Sequence, residues 1–147
     1  MIHIDINVLE DSTRKRRGSR GSETLLQEVE AGRIDGGVSA WTVAVVYYFF
    51  VKRGLSDHQA RQRTKTLIQD GNIQVWPLTP DIIRAAFAET RVPDFEDALQ
   101  FHTAKLNKAE VIITRNLKDF AKVASEIPVM TPEDYLRHWS KTNKGQP

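Results

Sequence analysis

An α/β fold, with a parallel sheet covered by helices on both faces, is predicted by three features of the chain. Short apolar, β-branched runs at Met1–Asp5, Ile34–Ser39, Ile73–Trp76, Glu110–Thr114 and Ile127–Met130 read as strands. Between them lie stretches with apolar residues at helical spacing, opened by Ser, Thr or Asp and closed by Gly or Pro. Strands that alternate with helices pair in parallel, because each crossover helix returns the chain to the same edge of the sheet. The third feature is polar: Asp5 ends the first strand, and Asn116 and Asp119 follow the fourth. Ligand sites in such sheets form beyond the carboxyl ends of the strands.

The chain of 147 residues is 40% hydrophobic and 27% charged, the balance of a soluble domain with a sizeable core. One domain over residues 1–140 with a flexible tail at 141–147 is expected. No apolar run is long enough for a membrane span, and the start is not a basic stretch followed by an apolar one, so the expected location is cytoplasmic. The absence of cysteine excludes disulfides and thiolate zinc sites, and His3, His58, His102 and His138 show no close ligand spacing. Any metal is then oxygen-bound. A formal charge of +2 is too small to imply nucleic acid by itself.

After the first strand, Asn7-Val8-Leu9 continues into a loop or first turn. Asp11 to Ser22 reads as a mobile basic loop, with Arg14, Lys15, Arg16, Arg17 and Arg20 placed for phosphate contacts. Ser22 can cap a helix to about Ala31, stopped by Gly32. After the second strand Ser39 caps a helix from Trp41 to Arg53 that is apolar on nearly every side, which calls for burial between other elements or against a second copy of the chain. Gly54 ends it, and Ser56 or Asp57 opens the next helix, basic on its outer face, to about Asp70. Gly71 and Asn72 turn into the third strand, closed by Pro77. Thr79-Pro80-Asp81 starts a helix to about Arg91. Thr131-Pro132-Glu133-Asp134 starts the last one, to roughly His138.

Pro93 precedes the helix that organises the chain, beginning Asp94-Phe95-Glu96-Asp97-Ala98-Leu99. At about 100° per residue, Phe95, Leu99, Thr103 and Leu106 form its main apolar stripe, and Asp94 and Asp97 lie on the opposite side. Phe101 and Ala104 share the side of Asp97, so that aspartate lines a cleft. Carboxylates that converge in a crevice repel one another unless a cation neutralises them, and carboxylate-plus-water ligation suits Mg²⁺ or Mn²⁺. Such an ion lowers the pKa of a bound water and stabilises charge on a phosphoryl oxygen, which points to phosphodiester hydrolysis. There is no GxxxxGK or GxSxG segment, so a nucleotide triphosphatase or serine hydrolase is disfavoured.

These residues resemble a known family. Asp5-Ile6-Asn7-Val8-Leu9 is similar to the D-x-N-V-L opening of PIN domains, and Asp94 to Gln100 to their central acidic helix. Thr114-Arg115-Asn116-Leu117-Lys118-Asp119-Phe120 is similar to their T-R-N-x-x-D-F segment, and Ile127 to Glu133 to their ending. The resemblance spans nearly the whole chain. It implies a three-layer fold with a central five-stranded parallel sheet, and a metal-dependent ribonuclease like toxins of the VapC type, which cleave RNA and are held inactive by an antitoxin. It makes Asp5, Asp97 and Asp119 the catalytic and metal-binding acids, with Asn116 as an alternative to Asp119. Asn7, Asp94 and Thr114 have supporting roles.

The chain departs from the family pattern on the helix after the second strand. A glutamate is common there, but no acid occurs from Gly36 to Ser56, and Val45 stands in the glutamate's place. Ile6 likewise replaces a hydroxyl. A weakened PIN-fold module that binds RNA or another protein is the alternative this departure raises.

Overall fold

The computed structural model describes residues 1–14 and 19–143. Five strands, β1 (Ile2–Ile4), β2 (Gly36–Ser39), β3 (Gln74–Trp76), β4 (Val111–Ile113) and β5 (Val129–Met130), form one sheet in the order β3-β2-β1-β4-β5. Every pairing is parallel. The helices are α1 (Ile6–Arg14), α2 (Arg20–Glu30), α3 (Ala40–Lys52), α4 (Asp57–Lys65), α5 (Pro80–Ala88), α6 (Phe95–Leu106) and α7 (Pro132–Asn143). A π turn, Thr66–Asp70, extends α4, and a 3₁₀ segment, Leu117–Val123, follows β4. No helix of the described residues is long and apolar enough to cross a membrane.

Side-chain alternation divides the core in two. Ile2, Ile4, Val38, Val111 and Ile113 face Val8, Leu9, Leu25, Val29, Val46 and Phe50 of α1, α2 and α3. Ile112 and Trp76 face Ile82, Ala86, Ala98, Leu99, Phe101 and Ala104 of α5 and α6, with Phe120 and Val123 beside them. Both faces of the sheet are therefore covered, as a parallel sheet requires.

Trp76 reaches across β2 to stack on the buried ring of His3 in β1, with centroids 5.6 Å apart and planes 22° apart. Only glycine at position 37 permits this, because a Cβ there would lie 2.5 Å from the indole. Gly37→Ala should therefore displace the ring and cost about 1–3 kcal/mol, the usual penalty of overpacking. Chemical denaturation and near-ultraviolet dichroism of the tryptophans check this. An unchanged aromatic signal and midpoint would show that the ring has room to move.

Helix starts follow the expected chemistry. Ser39, Ser56, Thr79 and Asp94 each accept a hydrogen bond from a backbone N–H in the first turn, and Ser56 and Gln59 form a capping box. Gly54, at φ 88°, closes the end of α3.

Five expectations need correction or narrowing. The segment read as a loop from Asp11 is helical to Arg14, and Arg20 already begins α2; Lys15, Arg16 and Arg17 lie outside the described residues. Ser22 is not a cap: it is buried inside α2, which starts after Ser19, and its hydroxyl is bonded to Asp11 and Arg115. On α6 the expected apolar stripe is partly wrong, since Phe95 and Leu106 are exposed while Ala98, Phe101 and Ala104 are buried. The inward face is thus centred on the side that carries Asp97. Finally, α3 is not enclosed in the single chain: Thr42, Val46 and Phe50 are buried, but Trp41 and Tyr48 are 41% and 59% exposed. The last helix also continues past His138 to Asn143, and residues 144–147 lie outside the described residues.

Candidate active site

The strand order reverses between β1 and β4, the one place where chain connections leave in opposite directions and a crevice opens at the carboxyl ends. Asp5 and Thr114 are the first residues beyond those two strands. The backbone N–H of Asp5 bonds to Ile113 at 3.0 Å, which holds them side by side.

Asp5 is 2% exposed, and donors surround its carboxylate. Its Oδ1 accepts from the Ile6 N–H at 2.6 Å; its Oδ2 accepts from Asn7 Nδ2 at 2.8 Å and from the Thr114 hydroxyl at 2.6 Å. Asn7 spans the crevice, since its Nδ2 also donates to Thr114 Oγ1 (3.0 Å) and its Oδ1 accepts from the Arg115 N–H (3.1 Å). Thr114 Oγ1 accepts in turn from the Asn116 N–H at 3.0 Å. Asn7 and Thr114 therefore fix Asp5, and the Asn116 amide donates to Asp119.

The third edge is the start of α6. Asp94 caps that helix by accepting from the Asp97 N–H at 2.9 Å, which leaves Asp97 half-buried in the first turn. Burial first, then the charges of Asp94, Asp5, Asp119 and Glu96, push the Asp97 carboxyl up to about 7. Asp5 is pushed up to about 6, again chiefly by burial, against the Thr114 and Ile6 hydrogen bonds and with help from Glu96 and Asp94. The structure thus brings Asp5, Asp94 and Asp119 within electrostatic reach of Asp97, and every charge that raises Asp97 is a carboxylate.

Glu96 was not singled out in the sequence. It is half-buried, its Oε1 is buried without a hydrogen-bond partner, and burial raises its pKa. The readable signal was its i, i+4 spacing to Gln100, which is wholly buried. Of the basic residues, the two that are described are Arg14, paired with Glu10 on α1, and Arg20, exposed at the start of α2. Val45 is partly buried and packs against the apolar core rather than offering a polar group.

An all-oxygen donor set whose acids repel one another fits a hard divalent cation in chemical type. Among the described residues, no three His, Cys, Asp or Glu side chains are drawn together as a closed cage. A cavity of about 530 Å³ lies at the opposite end of the sheet, lined by Met1, Asp35, Glu110 and Pro128, which precede strands, and by Tyr135 and Trp139. It is remote from the acidic crevice, where the polar chemistry lies.

None of the curated protein sequences matches the chain. Among solved structures, a chain of a toxin–antitoxin complex from Klebsiella pneumoniae is similar, with 27% identity and a TM-score of 0.65 over 90% of this chain and 98% of that one. The sarcin–ricin-loop-cleaving toxin VapC20 of Mycobacterium tuberculosis shares the fold, with 14% identity and a TM-score of 0.61 over 86% of this chain and 96% of that one. The family model of the PIN domain matches residues 2–118, which include β1 to β4, the acidic start of α6 and the Thr114–Asn116 edge. With sheet order, crevice and family model in agreement, the chain belongs to the PIN domain family.

Proposed function

We propose that this chain is a Mg²⁺- or Mn²⁺-dependent ribonuclease and the toxin of a toxin–antitoxin pair. The observation that carries the reading is the buried Asp5, held at the switch point by Asn7 and Thr114 and facing the raised carboxyl of Asp97. Asp5 and Asp97 would hold the ion, with Asp119 or Asn116 completing the set and waters filling the rest, as Mg²⁺ allows. When bound, such an ion supplies a water of lowered pKa and stabilises charge on the phosphoryl oxygen.

The protein's own part is positional. Asn7 and Thr114 hold Asp5 in one orientation, and Asp94 fixes the first turn of α6 and so the backbone of Asp97. Arg14, Lys15, Arg16, Arg17 and Arg20 are proposed to contact RNA phosphates without setting sequence preference. The toxin reading leans on the Klebsiella pneumoniae complex, and with it comes an antitoxin partner. The exposed Trp41 and Tyr48 of α3 are the proposed contact for that partner or for a second copy of the chain.

One observation favours the weakened module instead: α3 contributes no carboxylate, and Val45 packs as core. The deciding experiment is cleavage of labelled RNA by the purified chain with Mg²⁺, with Mn²⁺ and with chelator, beside Asp5→Asn. The ribonuclease reading expects metal-dependent cleavage that Asp5→Asn abolishes. Cleavage that survives Asp5→Asn, or RNA binding without any cleavage, would overturn it.

A further inference from the structure

Below the acidic crevice lies a second, wholly buried polar contact between β1 and α6. Successive side chains alternate across a strand, so His3 and Asp5 leave the same face of β1, about 7 Å apart. On α6, Glu96 precedes Gln100 by about one turn, roughly 6 Å along the axis. The two elements therefore meet as a ladder with matched spacing: His3 with Gln100 on the lower rung, Asp5 with Glu96 and Asp97 on the upper.

The lower rung has a fixed direction. Gln100 Nε2 donates to Thr42 Oγ1 of α3 at 3.0 Å, which leaves its carbonyl Oε1 to accept from His3 Nε2 at 2.9 Å. A carbonyl oxygen only accepts, so His3 carries its hydrogen on Nε2. His3 Nδ1 is then a bare acceptor, buried with no partner. Burial pushes the His3 pKa down to about 4, so the ring is neutral at pH 7. Trp76 clamps the plane of the ring. His3, Thr42 and Gln100 are each fully buried. An apolar trio would fill this space without an orphaned nitrogen, and an unpaired buried acceptor is a standing cost. The polar trio is kept where directional bonds fix one helix register, a specificity that apolar contacts supply poorly.

We infer that Thr42, Gln100 and His3 form a positioning relay that sets the height and rotation of α6, and so the placement of Glu96 and Asp97 against Asp5. The inference rests on the metal-site part of the proposed function and extends it to three residues that touch neither metal nor RNA. Gln100 acts from one turn below Glu96. Thr42 extends the relay to α3, the helix that lacks the family's glutamate.

The test compares Mn²⁺ affinity by calorimetry and melting temperature for the full chain and for Gln100→Met, Thr42→Val and Thr42→Ser, with RNA cleavage at saturating Mn²⁺ as a third measurement. Gln100→Met and Thr42→Val should bind Mn²⁺ about tenfold more weakly, the usual loss when a residue behind a metal ligand is removed. Thr42→Ser keeps the hydroxyl and should bind as the unaltered chain does. Should Gln100→Met fail to fold, the two Thr42 variants decide the matter, since Thr42→Val exchanges one hydroxyl for a methyl. Folded variants that lose only melting temperature and bind Mn²⁺ as tightly as the unaltered chain would reduce the trio to core filling and overturn the inference. An unaltered chain that binds no Mn²⁺ overturns it together with the metal site. Mn²⁺ binding that falls in the variants, with no RNA cleavage by any of them, upholds the relay and refutes the ribonuclease.

Discussion

Asp97→Asn will lower metal-dependent RNA cleavage about 100-fold or more, and it will make the metal-free chain more stable at pH 8. On the proposed function, the first effect follows from the loss of one of the two acids proposed to hold the ion: metal stabilisation of phosphoryl charge is worth several kcal/mol, and each 1.4 kcal/mol is tenfold in rate. The second follows from linkage. Asp97 titrates at about 7 in the folded chain against an ordinary value of 3.8, because burial and four neighbouring carboxylates oppose its charge. Below about pH 4 it is protonated whether folded or not, and costs nothing. Between pH 4 and 7 the unfolded chain releases a proton that the folded chain retains, so stability falls as pH rises through that window. Above pH 7 the whole penalty remains. Asp5, raised to about 6, adds to the same trend in the same direction.

An opposing effect must be weighed. An aspartate in the first turn of α6 gains from the helix dipole, typically about 0.3–1 kcal/mol, and asparagine gives that up. Four like charges at a half-buried group outweigh it, though solvent screening keeps the net gain to roughly 2–5 °C in melting temperature. Melting in chelator from pH 5 to 8 should show the unaltered chain declining across the range and Asp97→Asn declining less, its remaining fall being that of Asp5 and ending near pH 6. Parallel curves, or a variant that still cleaves RNA at the unaltered rate, would remove Asp97 from the site.

The parts of this molecule that were legible in its sequence are those governed by local chemistry. Ser39, Ser56, Thr79 and Asp94 cap helices because their side chains reach a backbone N–H three or fewer residues on, which needs no tertiary information. The parallel sheet and the acids at its carboxyl edge were likewise readable, since β-branched runs alternate with helical periodicity. What escaped depends on neighbours. Helix α1 continues through the polar run Asp11-Ser12-Thr13-Arg14 because its apolar Val8 and Leu9 are wholly buried and Arg53, just past the end of α3, donates to Thr13; periodicity sees only hydrophilic residues there. On α6, the expected stripe was right at Leu99 and Thr103, which are buried, but Phe95 and Leu106 drew it off centre. Small and polar residues, Ala98, Gln100, Thr103 and Ala104, occupy the true inward face, and hydropathy undervalues them. The His3–Gln100–Thr42 relay was invisible for the same reason: buried polar groups pair across 58 and 97 residues of sequence.

Arg115→Met should be the most destabilising single change outside the apolar core, at about 2–4 kcal/mol, or roughly 5–12 °C in melting temperature. The T-R-N segment was noted for Thr114, Asn116 and the later Asp119, yet the arginine that follows Thr114 fastens three helices around the crevice. Its Nε donates to Asp11 of α1 at 2.9 Å, its Nη1 to both oxygens of Glu133 of α7 at 2.9 and 2.7 Å, and its Nη2 to Ser22 of α2 at 3.0 Å. One side chain just beyond β4 thus ties three helices together, with three separate nitrogens spread over three partners, an arrangement that the single ammonium of lysine cannot reproduce. Gly21 belongs to the arrangement, because a Cβ at that position would lie 2.1 Å from the Glu133 carboxylate. Arg115 and Asp11 are about three-quarters shielded from solvent, with side chains 26% and 21% exposed. Removing the guanidinium leaves Asp11, among the described residues, with only the Ser22 hydroxyl and Glu133, 39% exposed, without its counter-charge, and the penalty comes mainly from the acids that lose that charge rather than from lost attraction. Adding Asp11→Asn and Glu133→Gln to Arg115→Met should therefore restore about half of the loss, and a thermodynamic cycle on the four proteins measures the coupling. A single variant that loses less than about 1 kcal/mol, or a triple variant less stable than the single one, would show that the helices are held by their apolar contacts alone.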